Sequence, residues 1–92
     1  MNNVTFIGQV SNALGCAVSL ILYQGPDLVW VQHFYSSFNF TSQLPDGNYN
    51  VTINGYTQGT LAFDIQNASN VMPAVPVVYQ QSIAGSFTFT AP

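Results

Sequence analysis

Apart from its alcohols and phenols, the chain offers few side chains for proton, metal or thiol chemistry: Asp27, Asp46, Asp64, His33 and Cys16. A Ser-His-Asp constellation can be drawn from these residue types. However, no Gly-x-Ser-x-Gly turn that would present a nucleophile occurs. Imidazole is the one side chain whose unperturbed charge change falls near neutral pH, yet a single His on a strand does not make a site. His33 therefore reads as structural. Metal centres need several Cys, His, Asp or Glu ligands together, and here they are scattered. Asp27 and Asp46 fall in turn sequences, where Asp commonly bonds backbone, and Asp64 has solvent-facing parity between Phe63 and Ile65. Cys16 has no second cysteine to pair with and reads as a small buried hydrophobe. No enzyme activity, cofactor or metal is expected.

Lys, Arg and Glu are absent, and the formal net charge is -3. Without cations the chain cannot clamp phosphate or bind nucleic acid by releasing counterions, and anionic lipid repels it. Nucleic-acid and membrane-surface roles are disfavoured on that ground, and no apolar run approaches the ~20 residues of a membrane-spanning helix. Charged residues make up 3% of the chain, so Asn, Gln, Ser and Thr must keep its surface hydrated. The same lack of charge leaves strand edges with little electrostatic protection against pairing with a neighbour. The chain opens at Met1 without the basic and apolar regions of a signal peptide.

The better candidates for contact are aromatic. Trp30, Gln32 and Phe34 share one face of a strand, with Tyr35 following; Tyr56 and Tyr79 lie elsewhere. An aromatic face beside amides suits a sugar ring, whereas a Trp on a sandwich strand suits the core. Both readings of Trp30 stand, the core reading ahead. Four glycosylation sequons begin at Asn3, Asn39, Asn50 and Asn67.

What must position these groups is a set of strands. Apolar and polar residues alternate with a period of two from Val4 to Val10 and from Cys16 to Tyr23. The pattern returns from Leu28 to Tyr35, and runs through a bend at Ser36-Ser37 into Phe38–Thr41. Further strands are predicted at Tyr49–Ile53, around Leu61–Ile65 and at Ser86–Thr90. Turns are predicted at Ser11–Gly15, Gly25–Asp27, Leu44–Asn48 and Asn67–Asn70, with a short connection at Tyr56–Gln58 between Gly55 and Gly59. Pro73 and Pro76 disfavour a central strand, so 71–92 reads as an extended edge segment followed by a final strand. Seven or eight short strands imply a single all-β antiparallel, Ig-like sandwich spanning 1–92.

Residues 4–66 carry a more specific pattern: Ile7-Gly8-Gln9-Val10, then Gly15 with Val18-Ser19-Leu20, then Phe38-Asn39-Phe40. It ends in Leu44-Pro45-Asp46-Gly47-Asn48-Tyr49, followed by Val51, Ile53 and Gly55-Tyr56. This resembles the prealbumin-like, carboxypeptidase-regulatory-like (Cna-B type) β-sandwich. In that family a Leu-Pro-x-Gly-x-Tyr turn joins two strands and its Tyr enters the core. The resemblance implies a non-catalytic module of the kind found in adhesins, pili, secreted enzymes and phage structural proteins. The Lys-to-Asn or Lys-to-Asp isopeptide bond of some members cannot form without Lys, and the His and Arg set of the related hydroxyisourate hydrolases is missing. The segment from Val71 has no counterpart in the pattern.

The expected function is thus structural. It is a virion or extracellular-surface protein, a capsid decoration or cement protein or a filament subunit, that contacts copies of itself or a neighbouring structural protein. The alternative is a carbohydrate-binding or adhesin module, which a glycan array with a Trp30→Ala control would separate.

Overall fold

A computed structural model describes residues 1–11 and 15–91; most of the predicted Ser11–Gly15 turn lies outside the described residues. Every regular element among them is a strand: β1 (Asn2–Val10), β2 (Cys16–Gln24), β3 (Asp27–Phe34), β4 (Phe38–Leu44), β5 (Gly47–Gln66), β6 (Ser69–Met72) and β7 (Val77–Ala91). All seven pair antiparallel in one hydrogen-bonded sheet. The expected antiparallel all-β domain is thus present, with its strands in one continuous sheet that curls on itself.

Curling follows from β5. Two strands were expected on either side of Tyr56–Gln58, but the chain continues as a single strand of 20 residues. Its first part pairs with β2, from Asn50 to Thr57, and its second part with β1, from Leu61 to Gln66. Along its other edge β7 accompanies it from Gly47 to Phe63, with a register shift between Tyr56 and Thr60. Here Gly55 and Gly59 bend a strand rather than end one. Gly55 has φ +149°, and a Cβ there would stand 1.9 Å from the Ala17 carbonyl oxygen, so no other residue fits. On β7, Gln81 takes φ 64° opposite the same bend.

The bend folds one end of the sheet (β3, β2, the start of β5, the end of β7, and β6) toward the other (β4, β1, the end of β5 and the start of β7). Alternation puts Val4 and Phe6 of β1, Val18, Leu20 and Leu22 of β2, and Val51, Ile53, Leu61, Phe63 and Ile65 of β5 inside. Phe87, Phe89 and Ala91 of β7 join them. Contacts cross the interior, as between Phe6 and Phe89 (5.9 Å between centroids) and between Phe63 and Phe87 (5.3 Å).

The Leu44–Tyr49 turn is a corner between the two ends of the sheet, since β4 pairs with β1 whereas β5 starts beside β7. Leu44 and Tyr49 are buried. The Tyr49 hydroxyl donates to the Pro45 carbonyl at 2.7 Å, and its ring stacks on Phe89. Asn2 Nδ2 ties the corner down by donating to the Leu44 carbonyl and to Asp46 Oδ1. Asp46 thus bonds a distant side chain rather than its own backbone, whereas Asp27 pairs with Gln24 across the predicted Gly25-Pro26 turn and opens β3. Pro73 and Pro76 lie between β6 and β7, where no ladder bond is required of them.

Candidate functional site

The geometry of β3 decides what its aromatics can do. Its inner residues are Trp30, Gln32 and Phe34, all half-buried, which agrees with their shared parity. Trp30 packs edge-on against Phe6 (5.4 Å) and Phe40 (5.2 Å), and its Nε1 donates to Ser42 Oγ at 3.0 Å. Phe34 stacks on Phe38 at 4.1 Å. Phe38 in turn covers Gly8, where a Cβ would come within 2.2 Å of its ring. β3 and β4 are the two free ends of the sheet's main path. Side chains thus close the curl where backbone bonds do not, and Trp30 is the central one. The remaining singled-out aromatics are dispersed. Tyr35 is 74% exposed beyond the end of β3, and Tyr56 is 49% exposed at the β5 bend. Tyr79 is half-buried on β7 opposite Leu61, its hydroxyl above Gly85, and burial pushes its phenol up. These six residues do not form one site.

The outer side of β3 is the unexpected surface. Leu28, Val29 and Val31 are 57%, 40% and 41% exposed. Among the described residues, the strand they lie on is hydrogen-bonded only to β2. β2 adds the half-buried Ile21 opposite Val31 and Tyr23 opposite Leu28. A register shift between Leu22 and Tyr23 makes Val29 the extra residue, so Leu28, Val29 and Val31 crowd onto the exposed side. No charged side chain interrupts β3 between Asp27 at its start and His33 near its end. An aliphatic, uncharged edge with unpaired backbone groups is suited to receiving another strand.

His33 lies on this outer side, across from Ser19, whose Oγ is 2.8 Å from Nδ1. The three Asp residues have other surroundings: Asp46 at the corner, Asp27 at the opposite end of β3, and Asp64 on β5 accepting from the Ile65 amide. A hydroxyl beside an imidazole is the start of a nucleophile-base pair, but among the described residues no carboxylate bonds this ring. Cys16 is half-buried against the core, and burial pushes its thiol up, away from the thiolate form. Among the described residues no three His, Cys, Asp or Glu side chains gather as metal ligands. No family model matches this chain, and neither a curated protein nor a solved structure does.

Proposed function

We propose that this chain is a non-catalytic assembly protein of a virion or extracellular surface, a capsid decoration or cement protein or a filament subunit. It works by strand-to-strand contact along β3, first of all with a second copy of itself. The observation that carries the reading is the exposed Leu28-Val29-Val31 edge, free of cationic gatekeepers. β-proteins blunt such edges with Lys, Pro or a bulge; this strand has neither Lys nor Pro, and its bulge turns Val29 outward. The Leu44–Tyr49 corner, with its buried Tyr, supports placing the fold beside the prealbumin-like sandwiches.

Light scattering across a wide concentration range tests this. The wild-type chain should gain mass with concentration. The Leu28→Lys, Val31→Lys double variant should stay monomeric with an unchanged β-type circular dichroism spectrum. A wild-type chain that remains monomeric at millimolar concentration refutes self-assembly. Self-association that persists in the variant refutes the assignment to β3.

A further inference from the structure

A second feature of the outer face, separate from the β3 edge, is a cleft of ≈ 460 Å³ over β5, β7 and β6. Its floor is Asn48 and Asn50 of β5 beside Thr88 and Thr90 of β7, and Asn70 and Met72 of β6 form one wall. No charged side chain lines it.

The amides are held in defined orientations. Thr90 Oγ1 donates to Asn48 Oδ1 at 2.8 Å, and Ser86 Oγ donates to Asn50 Oδ1 at 3.0 Å. With Oδ1 as the anchored end of each amide, each Nδ2 is left as a pair of donors. Residues two apart on a strand share a face and stand about 6.6 Å apart. The floor therefore presents two fixed donor groups at that spacing, with the Thr88 hydroxyl among them. Met72, 66% exposed, adds an apolar wall.

We infer that this cleft binds a neutral carbohydrate. Ring and hydroxyl oxygens would accept from Asn48 Nδ2 and Asn50 Nδ2, and a C–H face of the sugar would lie on the Met72 thioether. Fixed donors cost less ordering on binding than mobile ones do. Acidic sugars would find no cation here. Along the β5 floor a peptide strand would find no free backbone, because β5 is paired on both sides, by β2 and by β7, at Asn50. The site does not involve Trp30, whose indole is engaged inside the fold.

The test is an array of neutral gluco-, galacto-, manno- and N-acetylglucosamine oligomers, followed by calorimetric titration of the best-retained one. Asn48→Ala and Asn50→Ala remove the amides and add no charge. Each should weaken binding at least tenfold while the melting temperature stays within a few degrees. Retention of no neutral oligomer, retention of acidic glycans only, or binding unchanged in both variants would overturn the inference.

Discussion

Replacing Trp30 with Ala separates a core indole from a ligand-stacking one. The indole contacts Phe6 and Phe40 edge-on, and its N–H is donated to Ser42. Truncating a well-buried Trp costs about 3–5 kcal/mol, and half-burial of this one selects the lower end. The nearly buried Ser42 hydroxyl loses its partner, which adds about 1 kcal/mol. The expected loss is therefore about 3–4 kcal/mol, against a total stability of about 5–14 kcal/mol for a chain of this length. At about 4–8 °C per kcal/mol, the melting temperature should fall by about 12–32 °C. Trp30→Phe keeps a ring in place and loses the N–H, so its drop should be less than half as large. Far-ultraviolet circular dichroism is the appropriate probe, since Trp30 is the only tryptophan and its fluorescence vanishes with it. A Trp30→Ala protein that melts within 2 °C of wild type (an arbitrary but strict margin, about 0.5 kcal/mol) would refute the packing argument and return the indole to a ligand face.

Gly55→Ala should prevent stable folding or cost about 3 kcal/mol or more, because the new Cβ meets the Ala17 carbonyl and the φ is unfavourable; urea denaturation would measure the loss. Stability should also fall in alkali. Burial, with the Asp46 carboxylate second, pushes the Tyr49 phenol above its ordinary 10.0, and burial does the same for Tyr79. The folded state therefore holds these protons more tightly than the unfolded chain. Their contribution is complete below pH 10.0 and disappears as pH rises through the raised values. Melting curves from pH 8 to pH 12 would show this decline (the window brackets about 10, the free-phenol pKa). Tyr49→Phe should make the decline shallower, while the lost bond to Pro45 costs about 1 kcal/mol at neutral pH.

Alternation made the strands readable because nearly every strand has a buried face; the parity of Trp30, Gln32 and Phe34 is an example. The corner was readable from Pro45, Gly47 and Tyr49. β5 was not, since a glycine that bends a strand and a glycine that ends one look alike in a sequence. Leu28, Val29 and Val31 carry no local mark of exposure either; only the position of β3 at the end of the sheet leaves them uncovered. The pairing of Ser19 with His33 and the anchoring of Asn48 and Asn50 depend on strand register, which residue types alone do not set.

At about 3.3 Å per residue, β5 drawn straight would measure about 66 Å, yet the longest dimension of the molecule is 37 Å. One ribbon, doubled back with β7, therefore serves as the spine of both ends of the sheet. Neither end owns a private set of central strands, so no cut in the chain yields an autonomous fragment. Melting should be all-or-none. Folding should be slow for so small a chain, because partners far apart in sequence must meet before either end gains anything. That coupling also has a mechanical side: strain applied at one rim is borne by the entire ribbon, and the molecule holds or fails as a whole.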